Sequence, residues 1–149
     1  MVTKVGLQSD FISAFKELLE LDYDAIEAYQ VAIEKLENFS YKNALKEFKN
    51  DHENHVQEIT RLLTIHGEEV PDGPSAKQWL TKGKVYLAEL MGDRAILSAM
   101  RSNEIDTNNA YERLNKYEDK WPDCVEFLKD GLRDEKRHKT WLEAELGIL

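Results

Sequence analysis

The stretch LKDGLRDEKRHKTWL, residues 128–142, decides how the chain is read. Leu128, Gly131, Glu135, His138 and Leu142 follow steps of three and four, so they share one stripe of an α-helix. That stripe is apolar or small at its ends and ionisable in its middle. Three other stretches repeat the pattern. From Phe11 the stripe runs Phe15, Leu18, Asp22, Ile26, Tyr29, Ile33 and Leu36. The next runs Leu45, Phe48, His52, His55, Ile59 and Leu62, and another Leu97, Met100, Glu104, Asn108, Tyr111 and Leu114. Each helix thus carries an ionisable group where an apolar one is expected.

Working outward, the breaks set the helix limits. Asn38-Phe39-Ser40 is a turn in which Ser40 can cap the following helix. Gly67 stands at a helix end, and residues 68–74 form a loop with two prolines. Ser75 to Gln78 resembles a capping box, Gly92-Asp93 is a break, and Trp121-Pro122 opens the last helix. The expectation is an all-α, antiparallel four-helix bundle in a single domain, with helices near 10–37, 41–66, 93–118 and 122–146. An extra short helix near 75–91 lies in the connection between helices two and three.

Composition agrees. The chain has 149 residues, 42% hydrophobic and 33% charged, with 7 glycines and 3 prolines, which disfavours both a turn-rich β fold and a disordered chain. The formal charge of −9 argues against nucleic acid and anionic membranes as partners but leaves divalent cations. One cysteine, Cys124, excludes an internal disulfide and a cysteine-rich zinc site. The first residues lack the apolar core of a signal peptide and no apolar run reaches ~18 residues, so the expected location is cytoplasmic.

Counted from the turns, Asp22, His52 and His55, Glu104, and Glu135 and His138 differ in depth by only about three residues, ~4.5 Å of rise. Six groups can therefore meet in one layer. Three carboxylates in a dry layer repel and raise one another's pKa values. A divalent cation relieves that repulsion and takes neutral imidazole as a further ligand. The carboxylate and imidazole mixture suits iron, manganese or zinc better than calcium or magnesium. Glu135 and His138, three apart, can reach one site together.

The two halves of the chain also match each other. An offset of 82 pairs Asp22 with Glu104, Ala28 with Ala110 and Tyr29 with Tyr111. An offset of 83 pairs Leu45 with Leu128, Asp51 with Asp134, His55 with His138 and Leu63 with Leu146.

On these residues the chain resembles the ferritin-like superfamily, and within it bacterioferritin and rubrerythrin, in an uncharacterised bacterial branch. The likeness is carried by the seven-residue step from Asp22 to Tyr29, by its repeat from Glu104 to Tyr111, and by residues 134–143 with Trp141 three after His138. It implies a di-iron carboxylate site in which Asp22 and Glu104 are terminal ligands, Glu135 bridges, and His52, His55 and His138 supply nitrogens. Tyr29, Asn108 and Tyr111 would stand just behind them. The implied activity is ferrous-ion oxidation with oxygen or peroxide. Apolar residues such as Trp79 and Leu87 on the bundle faces and the extra helix point to a homodimer or larger assembly. Two departures stand out: His52 occupies the place of a family Glu, and Asp22 is shorter than the family Glu. They imply an asymmetric dinuclear site short of one bridge, or a single metal near Glu135 and His138. The alternative reading is a metal-binding or protein-interaction bundle without turnover. Asp51, Glu53 and Glu58 read as solvated charges, with Asp51 able to replace His52 if helix two rotates. His66 reads as a helix-end dipole partner, and Trp79, Trp121 and Trp141 as packing residues.

Overall fold

The computed structural model describes residues 2–74 and 89–148, and four long helices fill it. They are α1 (Phe11–Lys35), α2 (Phe39–Ile65), α3 (Asp93–Asn115) and α4 (Val125–Leu146). A single 3₁₀ turn, Pro122–Cys124, leads into α4. The expected extra helix near 75–91 falls almost entirely outside the described residues.

Local chemistry sets the ends. The Asp10 carboxylate caps α1 by accepting from the Ser13 amide at 2.9 Å. The cap of α2 is Asn38, not Ser40: its side-chain oxygen accepts from the Tyr41 amide at 3.1 Å, so Ser40 lies inside the first turn. Asn38 wins because the chain is still extended there, as an N-cap requires. At the other end of α2, Gly67 takes a φ of 71°, and the amides of Gly67 and Glu68 bond back to Thr64 and Leu63. That left-handed stop is cheap only for glycine.

The ends also fix the topology. The Asp93 carboxylate, opening α3, accepts from the amides of Glu37 and Asn38 at 2.8 and 2.9 Å. Arg94 reaches the Leu146 carbonyl at the end of α4. At the opposite end His66 meets Asp123 at 3.0 Å, and Lys16 pairs with Glu68 at 3.0 Å. Hence α1 and α4 run one way, and α2 and α3 the other. The end of α2 and the start of α3 therefore lie at opposite ends of the bundle, as in ferritin-like folds with one long connection.

The core is two apolar layers with a polar one between. Phe11, Phe15, Leu18, Leu62, Leu63, Leu114 and Leu128 are buried toward one end, and Ile33, Leu36, Leu45, Leu97, Leu142 and Leu146 toward the other. Each such side chain stabilises the fold by about 1.5–3 kcal/mol. On α1, Leu21 and Ala25 are buried and Ile26 only half so, contrary to the single expected stripe. The reason is that α1 packs against both α2 and α3, which widens its inward face.

Candidate metal centre

Between those layers all six expected groups come together. Asp22, His52, His55, Glu104, Glu135 and His138 are each at most 3% exposed. Asp22 Oδ1 lies 2.8 Å from His52 Nδ1 and 3.4 Å from His55 Nδ1. Glu135 Oε1 is 3.5 Å from His52 Nδ1 and from His55 Nδ1. Its other oxygen, Oε2, is 3.5 Å from His138 Nδ1, which in turn lies 3.4 Å from Glu104 Oε1. His52 Nε2 is 3.6 Å from Glu104 Oε1. The donors therefore form two overlapping sets: Asp22, His52, His55 and Glu135 in one, and His52, Glu104, Glu135 and His138 in the other. Glu135 and His52 belong to both.

Hydrogen bonds to these groups cross between the halves of the chain. Tyr111 of α3 donates to Asp22 of α1 at 2.6 Å, and Tyr29 of α1 donates to Glu104 of α3. His138 of α4 donates through Nε2 to Asp51 of α2 at 2.8 Å, and His55 of α2 through Nε2 to Asp134 of α4 at 2.9 Å. The 82 and 83 offsets thus correspond to a pseudo-two-fold site. Burial, and then the facing carboxylate, push the pKa of both tyrosines well up, so their hydroxyls stay protonated as donors.

Asp51 is not the free solvated charge expected from its place on α2. It orients His138, and Asp134 does the same for His55. Burial alone would raise the Asp51 carboxyl, but His138 and Arg137 hold it down at about 2. Thr107, which the helical stripes do not single out, donates to Glu104 Oε2 at 3.0 Å. Asn108 touches neither ligand-type carboxylate. Its amide donates to the backbone carbonyls of Glu104 and Glu135 at 2.7 and 2.9 Å, tying α3 to α4. Asn115, two turns on, does the same at Tyr111 and Leu128. His66 is also corrected: it bonds Asp123 and stacks on Trp121 at 3.6 Å, a side-chain role beyond any dipole effect.

Gly131 has a packing role. A Cβ there would lie 2.4 Å from Cε1 of Tyr111. Gly131→Ala should lower stability by about 1–3 kcal/mol despite alanine's better helix propensity, because Tyr111 must leave Asp22. A melting curve checks it, and a variant as stable as the parent would refute it.

The charge balance of this layer is set by burial and by its neighbours. Burial opposes the charged forms, but surrounding carboxylates outweigh it at the imidazoles, holding His52 up at about 10, His55 at about 9 and His138 at about 12. Burial alone would raise both Asp22 and Glu104, but the bonds from His52 and His55 keep Asp22 low, and the charge of the facing His138 and His52 keeps Glu104 well below the usual range. Glu135 goes the other way: burial, aided by Glu104, pushes it up to about 7 against the pull of His52. Both Glu135 oxygens, His52 Nε2 and His138 Nδ1 are buried with no hydrogen-bond partner. Such groups are costly unless something satisfies them. The donor spacings of 3.4–3.5 Å around His55 and His138 lie at the upper edge of what ligands about 2.1 Å from one cation show, roughly 3.0–3.4 Å apart. The residues present fit a metal.

Comparison with known proteins places the chain in a family. The family described as "Domain of unknown function (DUF2383)" matches residues 10–116. The chain belongs to the DUF2383 family. The matched region holds Asp22, His52, His55 and Glu104 and stops before α4, which carries Glu135 and His138. A crystal structure of "ferritin like, diiron-carboxylate proteins" from Bacillus anthracis str. Ames superimposes on this DUF2383 chain with a TM-score of 0.74. It covers 91% of this chain and 94% of that one at 19% identity, so the fold is ferritin-like. No curated protein matches. Among the described residues, no helix is long and apolar enough to cross a membrane.

Proposed function

We propose that this chain binds two transition-metal ions, iron foremost and manganese or zinc as substitutes, between its two helix pairs, and that it oxidises ferrous iron with oxygen or peroxide. The observation that carries the reading is the set of partnerless buried atoms on Glu135, His52 and His138, all inside the two overlapping donor sets. The similar Bacillus anthracis structure is described as that of a di-iron carboxylate protein, which supports the choice of metal.

Asp22 with His55 would hold one ion and Glu104 with His138 the other, while Glu135 turns one oxygen toward each set. His52, with one nitrogen facing each set, stands where a second carboxylate would add charge. Two ferrous ions supply two electrons, enough to reduce peroxide to water or oxygen to peroxide with two protons. The chain's part is to hold the ions in an apolar shell that limits side reactions. Tyr29, Tyr111 and Thr107 keep Asp22 and Glu104 in place.

Anaerobic ferrous loading followed by oxygen tests the proposal. Ferric absorption saturating at two irons per chain supports it. One tightly held ion that stays ferrous in air instead supports the non-catalytic binding module, which the presence of His52 in place of a carboxylate favours. Asp51→Asn and Asp134→Asn should each weaken metal binding about 10–100-fold, and by similar factors, because each carboxylate orients one equivalent histidine. Titration against a competing chelator measures both; an effect confined to one would contradict the pseudo-two-fold reading.

Self-association belongs to the same proposal. Phe39, Met91 and Ile148 are exposed by 73, 88 and 52% at the same end of the bundle, and sedimentation would show a dimer or larger species.

A further inference from the structure

The α2–α4 face separates the cluster from water by one layer of side chains. Asp51 and Asp134 form that layer, each bonded to the outward nitrogen of a cluster histidine. Their side chains are 21 and 33% exposed, whereas those of Asp22, Glu104 and Glu135 are at most 1% exposed. A cation approaching the histidines from this side meets these two carboxylates first.

A cation of the chain's own already holds them. Nη2 of Arg137 donates to Asp51 Oδ2 at 2.7 Å and to Asp134 Oδ1 at 3.2 Å. The guanidinium also lies 5.9 Å from the centre of the Phe48 ring, which packs on His138 at 4.4 Å. One half-exposed side chain thus bridges both outer carboxylates and covers the ring over His138. The α3–α4 seam carries a cavity of about 500 Å³, but Asn108, in its lining, and Asn115 bridge the two backbones there and Arg101 pairs with Glu143, with no carboxylate bonded to a cluster histidine.

Resting on the metal-binding reading above, we propose that divalent cations reach the cluster through the α2–α4 seam and that Arg137 is the counter-cation they displace. The oxygens Arg137 occupies are those an incoming ion would use. Exposed ion pairs are weak, so the guanidinium can leave. As one cation departs when another arrives, the two aspartates never stand uncompensated together. Arg137 then sets how fast metal arrives, while the buried groups set how much is held.

Stopped-flow mixing with cobalt(II), followed by its visible absorption, tests this on the full chain. Arg137→Gln should take up cobalt about tenfold faster than the parent, with the same final cobalt per chain. Arg133→Ala is the control. It removes the same charge one turn away on α4, where Arg133 pairs with Asp130 at 3.1 Å rather than with Asp51 or Asp134. It should stay within about twofold of the parent rate. Arg137→Met replaces the glutamine variant if that one melts low. A parent-like rate in the Arg137 variants with normal cobalt content overturns the portal and leaves metal binding intact. Equal acceleration by Arg133→Ala also overturns it, since charge alone would then explain the rate. A parent chain that takes up no cobalt refutes the metal reading, and the portal with it.

Discussion

Glu135→Gln should weaken metal binding at least about 100-fold, or about 2.7 kcal/mol, while leaving the metal-free protein as stable as the parent or more so. The two halves of that expectation share one cause. Glu135 is the carboxylate of the cluster with neither oxygen hydrogen-bonded, and both its oxygens face imidazole nitrogens of different donor sets. A group serving only the fold would not be left so. Without metal its charge is a liability, which is why burial raises its carboxyl to about 7. The sign follows directly. The folded carboxyl holds its proton to higher pH than the unfolded one, so the parent loses stability as pH rises from about 4.5 to about 7 and no more above. The melting advantage of Glu135→Gln should therefore grow across that window and then level. Glu143→Gln is the comparison: it lies on the same helix, paired with Arg101 at 2.9 Å, and should not affect metal binding. A Glu135→Gln protein that keeps two ions at parental affinity would end the case for this residue.

The inward faces of α2 and α4 are legible in the sequence alone, and those of α1 and α3 only in part, because α1 turns Leu21 and Ala25 inward as well and α3 turns Thr107 inward. The gaps at Asp22, His52, Glu104 and Glu135 stand out because period and polarity disagree there, and such disagreements mark sites. The groups that escape such a reading are those whose role depends on a neighbouring helix. Asp51 is one residue from His52 and so about 100° around α2, off the stripe. Only the crossing of α4 makes it His138's partner. Arg137 escapes for the same reason. Yet the offset of 83 pairs Asp51 with Asp134 and His55 with His138, so the internal repeat holds a signal that single-helix periodicity cannot. Asn108 shows the opposite error: the stripe places it inward, but the close α3–α4 seam claims its amide for the two backbones.

Metal binding should release protons and therefore strengthen as pH rises. Facing carboxylates, working against burial, hold His52, His55 and His138 up at about 10, 9 and 12, so at pH 8 all three are protonated in the metal-free chain. A ligating nitrogen must give up its proton, and each proton released makes the binding constant change about tenfold per pH unit. Calorimetry in buffers of different ionisation enthalpy should count about three protons for the filled site. The metal-free chain moves in the other direction. A histidine whose folded pKa is raised contributes stability fully below its unfolded value near 6.5 and loses it as pH climbs through 9 and beyond. Asp22 and Glu104, with lowered values, contribute above their unfolded range and fail only in acid. Melting temperature without metal should thus fall between pH 7 and 10, while the loaded protein, its imidazoles neutral and ligated, should hold. The gap between loaded and chelator-treated protein must widen with pH; a constant gap from pH 6 to 9 would mean that the three imidazoles are not exchanging protons for a cation.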